Sequence, residues 1–209
     1  MTNNISELLE LKTTALVVID KQNAYFDAKE LSKRNKHSPD NCDEIVNQID
    51  DFILGARKNG AMVVWTLMTE SVGLSPPNIS HKIRTGPDNI TTISKPDENS
   101  YGIYGKVTPV TNEKVIEKIR YDAFAQTDLD SWLKSHGIET LMFVGGYASR
   151  CVLATSFAAN SLGYRVVIPK GLVTNQKENT DELPSFYSIV DAILGYVISP
   201  TDILASWSK

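Results

Sequence analysis

"TLMFVGGYASRCVLATSFAANSLGYRVVI", residues 140–168, changes its pattern twice. Its opening, "TLMFVG" (140–145), is an unbroken apolar run, the mark of a strand buried on both faces rather than on one. Its close, "RVVI" (165–168), is a second such run, and the stretch between them reads as a helix that starts near Cys151. Strand, helix and strand in that order make a βαβ unit, which implies parallel strands joined by a right-handed crossover.

The alternation extends in both directions. "ALVVI" (15–19) and "AMVVWTL" (61–67) read as buried strands, "KVIEK" (114–118) as a short one and "YVI" (196–198) as the last. Between the first two, Ile45, Val46, Ile49, Phe52, Ile53 and Ala56 recur at helical spacing, with Gly60 where a C-terminal cap belongs. Cys42 falls in the first turn of that helix and reads as a bystander. "TDLDSWLKSHG" predicts a helix with Thr127 as N-cap and Gly137 as its stop, and a final helix is expected from about Pro184 to Leu194. Residues 70–112 are rich in Pro, Gly, Asn and Ser, and so long a loop in a compact domain is expected to serve as a lid, a binding surface or an interface.

Composition narrows the function. The 209 residues carry a net charge of −4 with Lys and Arg spread along the chain, so the basic stripe that a nucleic acid or membrane surface requires is missing. A small-molecule partner is the expectation. The start, "MTNNISELLELKTT", has neither the basic opening nor the apolar run of a secretory signal, and no window approaches 18 consecutive apolar residues. Two cysteines, Cys42 and Cys151, are too few for a disulfide framework, so the expected compartment is the cytoplasm, with both thiols reduced. No internal repeat or linker divides the chain, and a single domain over 1–209 is expected.

In open parallel sheets, ligands bind beyond the carboxyl ends of the strands. Asp20 follows "ALVVI", Lys118 closes "KVIEK", and Cys151 comes a few residues after "TLMFVG" at a helix start. Singly, each has an ordinary reading: a turn former, a solvated lysine, a packed thiol. Together they bring an acid, a base and a thiol to one edge of one sheet. A buried Asp needs a partner that a nearby Lys supplies, and a thiol near a cation and a helix N-terminus has its pKa drawn down. Such a thiolate is expected to alkylate well below pH 8.

Three separated stretches resemble the isochorismatase-like cysteine hydrolases over about residues 12–200. "ALVVIDKQNAYF" (15–26) is similar to a first motif, a strand ending in Asp followed by Gln-Asn and an aromatic. "VIEKIRYDAFAQTDLDSWLKSHGIETLMFVGG" (115–146) resembles a second, and "GGYASRCVLATSFAANSLGYRVV" (145–167) a third that carries the nucleophile. The resemblance implies a three-layer α/β/α fold on a doubly wound, mostly parallel six-stranded sheet. It also implies a triad of Asp20, Lys118 and Cys151, a cis peptide at Gly146–Tyr147, and an oxyanion hole from the amides of Tyr147 and Cys151. Gln22, Tyr25, Tyr121 and Arg150 are the pocket candidates by motif position, with Tyr147 a wall beside the nucleophile. A homodimer or homotetramer is implied as well.

The departures refine this. Nicotinamidases of the family carry a metal on an Asp-x-His pair and a further His, whereas "WTLMTESVGLSPPNISHK" (65–82) has no such pair. His81 alone makes a poor site, and His37 and His136 read as a loop residue and a helix C-terminal residue. No metal and no other cofactor is expected. Arg150 takes a position more often apolar in the family; it reads either as an anchor for a substrate carboxylate or as a side chain turned outward. The expected reaction is hydrolysis of an amide, carbamoyl or ureido C–N bond through a thioester. The alternatives are vinyl-ether cleavage of the isochorismatase type, or a binding or assembly protein without turnover.

Overall fold

The computed structural model describes residues 5–33, 36–69 and 98–208. Strands form wherever apolar runs occur. They are β1 (Thr14–Ile19), β2 (Met62–Met68), β3 (Lys114–Lys118), β4 (Thr140–Gly146), β5 (Arg165–Pro169), β6 (Val173–Thr174) and β7 (Gly195–Ile198). All their pairings are parallel, in the order β3-β2-β1-β4-β5-β7, with β6 on β4 beyond the end of β5. The six strands expected from the sequence all form. The seventh, β6, is too short for any pattern to reveal, since two residues show no periodicity.

Every residue of β1 and β4 is buried. Alternate side chains on these strands feed two separate cores, as the period of two requires. On one face Val17, Ile19, Leu141, Phe143 and Val166 meet helices α2 (Leu129–Ser135), α3 (Leu153–Ser161) and α4 (Leu183–Ile189). On the other, Leu16, Val18, Met142 and Val144 meet α1 (Cys42–Lys58) through Ile49, Phe52, Ile53 and Ala56, and α5 (Pro200–Trp207) through Ile203 and Trp207. The result is the expected three-layer α/β/α arrangement, stabilised by roughly 1.5–3 kcal/mol for each large apolar side chain removed from water.

Two helix boundaries differ from the sequence reading. The helix expected from Thr127 begins at Leu129 with Asp128 at its N-cap position; the Thr127 hydroxyl still accepts from the Leu129 amide at 3.3 Å, one residue early. The last of the expected helices is α4 followed by a π-helical turn over Val190–Leu194, which delivers the chain to β7. The lid or interface expected of residues 70–112 falls largely outside the described residues. Its last part, from Ser100 to Val107, is anchored on the rest of the chain, as described below. Among the described residues no helix is long and apolar enough to cross a membrane.

The sheet order places the site. The chain runs outward from β1 to β2 and β3, then returns to β4 on the other side of β1, so the order reverses between β1 and β4. That switch point opens a crevice at the carboxyl ends of the two strands. Ile19 pairs with Gly145 there, at φ +109°, and a Cβ on Gly145 would stand 2.2 Å from the Ile19 carbonyl oxygen. Only glycine permits this approach.

Candidate active site

Asp20 leaves β1 with φ +47°, a left-handed conformation that Asp tolerates better than most residues. Its amide donates to the Thr66 carbonyl at 3.1 Å, and its Oδ1 accepts from the Thr66 hydroxyl at 2.7 Å. Its Oδ2 accepts from Lys118 Nζ at 2.7 Å. Lys118 stands on β3, two strands away, and its length spans β2 to reach the switch point. Its ammonium also donates to the carbonyls of Arg120 at 3.0 Å and Tyr121 at 3.4 Å, which turns the loop after β3 over the pair. Both side chains are essentially inaccessible to solvent.

Cys151 lies in a π-helical turn, Ala148–Val152, that runs straight into α3. Its thiol is buried and interacts with both Asp20 and Lys118. The three side chains that the sequence placed at separate strand ends thus come together in one group. Burial, the largest single influence, works to lower the Lys118 pKa, but Asp20 and Cys151 together outweigh it and hold the pKa above the ordinary lysine value. The thiol behaves contrary to expectation. Burial pushes the Cys151 pKa up, the Asp20 charge adds to it, and the Lys118 ammonium offsets only part. Burial and the Asp20 charge thus work against the thiolate that a cation and a helix end were expected to favour.

The Gly146–Tyr147 peptide bond is cis. In the turn that follows, the amides of Arg150 and Val152 both donate to the Tyr147 carbonyl, and the Ser149 amide donates to Asn175 Oδ1. These three donors are committed, which removes them from the pool available to an oxyanion. The Tyr147 hydroxyl donates to the Tyr25 carbonyl at 2.8 Å, and the two rings meet edge to face at 5.6 Å. Tyr25 and Tyr147 are thus joined, as neighbours by motif position should be. The Tyr121 ring is half exposed, and its main part in the group is its carbonyl.

Gln22, a pocket candidate by motif position, is engaged by the chain itself. It is buried, its amide nitrogen donates to the carbonyls of Met68 and Tyr101 at 3.3 and 3.2 Å, and its Oε1 accepts from the Met68 amide at 2.8 Å. Both amide protons are spent on clamping the end of β2 and the 98–107 segment to the floor of the site. Lys21 does similar work on the opposite side of the backbone. Its ammonium bonds Asp50 Oδ1 at 2.7 Å and the Tyr104 carbonyl, while Asp50 Oδ2 accepts from the amides of Lys106 and Val107. Glu30 accepts from Asn99 and Ser100.

Three contributors escaped the sequence reading. Thr66 looked like one more position in an apolar strand; a lone hydroxyl in a central strand, in register with the residue before Asp20, was the available signal. Thr155 on α3 ties the loop after Lys118 to the nucleophile's helix, accepting from the Ala123 amide at 3.1 Å. Asn175 receives the Ser149 amide and hydroxyl. His81 lies outside the described residues; among the described ones no group of three or more His, Cys, Asp or Glu side chains is arranged to hold a metal ion.

The family model of the isochorismatase domain matches residues 14–183, a span that takes in Asp20, Lys118 and Cys151. The chain belongs to the isochorismatase family. Among curated members, it is 30% identical over 159 residues to the ureidoacrylate amidohydrolase RutB of Methylobacterium radiotolerans, covering 70% of this chain. The match spans about 61% of that relative's own length. Solved structures of the family superpose over nearly the whole chain. A cysteine hydrolase from Pseudomonas syringae pv. phaseolicola gives a TM-score of 0.77 at 15% identity, covering 96% of this chain and 94% of that one. The N-carbamoylsarcosine amidase of Thermoplasma acidophilum gives 0.69 at 22% identity, covering 90% and 96%. Likeness at those identities establishes the isochorismatase fold.

Proposed function

We propose that this chain is a cysteine hydrolase that cleaves the C–N bond of a small amide, carbamoyl or ureido compound. The observation that carries the reading is the buried group of Cys151, Asp20 and Lys118 at the switch point: a thiol in contact with one carboxylate and one ammonium. The names of the relatives, an amidohydrolase of a ureido acid and an amidase of a carbamoyl compound, support the same bond class.

Cys151 attacks the carbonyl carbon as its proton passes to Asp20, so the thiol ionises only as the S–C bond forms. This fits a pKa held high in the resting site. The Tyr147 and Cys151 amides receive the oxyanion, a contribution typically worth about 3 kcal/mol per donor. Asp20 returns the proton to the leaving nitrogen, the C–N bond breaks, and a thioester remains on Cys151. Asp20 then takes a proton from water, which attacks the thioester to release the acid and restore the thiol. Lys118 keeps Asp20 oriented throughout. No cofactor enters these steps.

Screening amides, ureas and carbamoyl acids for ammonia release tests the reading, with intact-mass detection of an acyl adduct on Cys151. Ammonia release that persists in Cys151→Ala, or turnover confined to a vinyl ether, would overturn it. We read the chain as a cytoplasmic protein and the assembly as a homodimer or homotetramer, the latter consistent with exposed Phe157 on α3, Leu162 just after it, Ile193 before β7 and Tyr196 on it. Sedimentation of the purified chain tests the assembly, and a monomer at micromolar concentration contradicts it.

A further inference from the structure

The turn that carries the nucleophile is held from outside, by a segment that takes no part in the reaction steps. β6 pairs with the end of β4, Thr174 opposite Gly146, so the next residue, Asn175, arrives beside the turn that follows Tyr147. Asn175 is buried. Its Oδ1 accepts from the Ser149 amide at 3.1 Å and from the Ser149 hydroxyl at 3.3 Å, and its Nδ2 donates to the Asn179 carbonyl at 2.8 Å. An N–H on one side and a carbonyl on the other fix which way this carboxamide faces. An aspartate could serve the first partner but not the second.

Asn179 is fixed in turn. Its Oδ1 accepts from Gln176 Nε2 at 2.9 Å and from Arg150 Nη2 at 3.1 Å, and its Nδ2 donates to Glu182 Oε1 at 2.8 Å. The Arg150 guanidinium also lies 5.4 Å from the centroid of the Tyr147 ring. Both residues before Cys151 therefore end on the 175–179 segment, Ser149 through its amide and hydroxyl and Arg150 through its side chain. Lys177 ties the same segment to the loop before α1, its amide donating to the His37 carbonyl at 2.9 Å. The N-cap position of the turn, Tyr147, offers no side-chain cap of its own. The oxygen that a local Ser or Asp would supply comes instead from 26 residues further along the chain.

Resting on the hydrolase reading, we propose that Asn175 is a positioning residue for Cys151. By tying down the Ser149 amide it fixes the turn that presents the thiol and the Cys151 amide. As a neutral cap, it does so without bringing a second negative charge to a site that already holds Asp20. A carboxylate would be the stronger acceptor for Ser149, but it would oppose the charge that develops on the sulfur and on the carbonyl oxygen. Position and neutrality are separable, because different substitutions remove them.

Iodoacetamide labelling of the folded protein at pH 8 tests both, with Cys42 as the control. Asn175→Ala drops both contacts to Ser149. The turn should open more often and Cys151 should label about 5- to 30-fold faster, the span of two hydrogen bonds, with Cys42 unchanged. Asn175→Asp keeps the acceptor and adds the charge. Cys151 should then label about tenfold more slowly than in the parent, as its thiolate fraction falls. In both variants kcat for ammonia release should fall while KM stays within about threefold. A residue that only packs would move Cys151 and Cys42 together, or move Cys151 in the same direction in both variants. Either result overturns the proposal, as does parental kcat in both. Labelling needs no substrate, so the two readings fail separately. Opposite shifts in Cys151 labelling, in a parent that hydrolyses no amide, urea or carbamoyl acid, refute the hydrolase and leave Asn175 its hold on the thiol. Hydrolysis in the parent with labelling unmoved by either variant does the reverse.

Discussion

Asp20 and Lys21 are neighbours in sequence, and each belongs to a buried Lys–Asp pair with an N···O distance of 2.7 Å. The two pairs have different work. Lys21–Asp50 is closed by backbone: the Tyr104 carbonyl accepts from Lys21, and the amides of Lys106 and Val107 both donate to Asp50 Oδ2. Lys118–Asp20 is open on one side, and the group that fills the gap is a thiol. Their lysines also shift in opposite directions. Burial pushes the Lys21 pKa below the ordinary lysine value despite Asp50, whereas Asp20 and Cys151 together hold that of Lys118 above it against burial. A buried ion pair is therefore not by itself a sign of chemistry. What distinguishes the reactive one is an unspent contact aimed at a nucleophile.

The largest effect that would sharpen this contrast is on turnover. Cys151→Ala should lower kcat by about 10⁴-fold or more while leaving the urea midpoint near that of the parent, since neither ion pair loses a member. Asp20→Asn should abolish turnover too, but it strands the Lys118 charge. It should therefore also cost roughly 3–5 kcal/mol of stability, read from the same urea curve. Activity retained in either variant breaks the assignment of the open pair.

The next effect concerns the thiol. A pKa above the ordinary cysteine value leaves the neutral thiol dominant through neutral pH, and the thiolate fraction grows with each unit of rise. Iodoacetamide labelling of Cys151 should climb about tenfold per pH unit from pH 6 to 9 without a plateau. A plateau below pH 7 would mean a preformed thiolate. Cys42 gives the internal comparison: burial, with Asp43 and Asp27 nearby, pushes its pKa up to about 12, so its labelling should likewise rise with pH without a plateau and sets the baseline for a buried thiol with no adjacent ammonium.

Breaking the closed pair should cost stability rather than chemistry. Lys21→Met and Asp50→Asn should each lose roughly 3–5 kcal/mol in urea unfolding and still turn over substrate below the transition. If Lys21→Met proves as inactive as Asp20→Asn, the two pairs are one functional unit and the contrast fails. The smallest effect belongs to Thr66→Val. Loss of its hydrogen bond to Asp20 Oδ1 should cost about 1 kcal/mol and move the pH profile of kcat, a readout that a purely structural hydroxyl would leave fixed.

Much of this was legible in the sequence because continuous apolar runs mark parallel strands, and parallel strands deliver their C-terminal residues to one edge. Asp20, Lys118 and Cys151 could be placed there before any coordinates. Lys21 could not, since a lysine after a strand reads as solvated and its partner Asp50 sits mid-helix, on the polar side of no obvious pattern. The partners of Gln22 were hidden for a related reason: proximity to the site is visible in sequence, but the carbonyls that take up its amide belong to Met68 at the end of β2 and to Tyr101, both far along the chain. The thiol's ionisation was misjudged because a helix end is a local feature, whereas desolvation by two packed layers is a property of the whole fold.

The adjacency of Asp20 and Lys21 has a consequence for how the chain assembles. Moving β1 by one residue in one direction would seat the Lys21 ammonium beside Lys118, and in the other direction the Asp20 carboxylate beside Asp50. Either way a buried attraction would become a buried repulsion, and the whole apolar set of the strand would change faces with it. Charge and hydrophobicity thus reject the same misalignment, and the peptide link between residues 20 and 21 acts as a registration mark for the centre of the sheet.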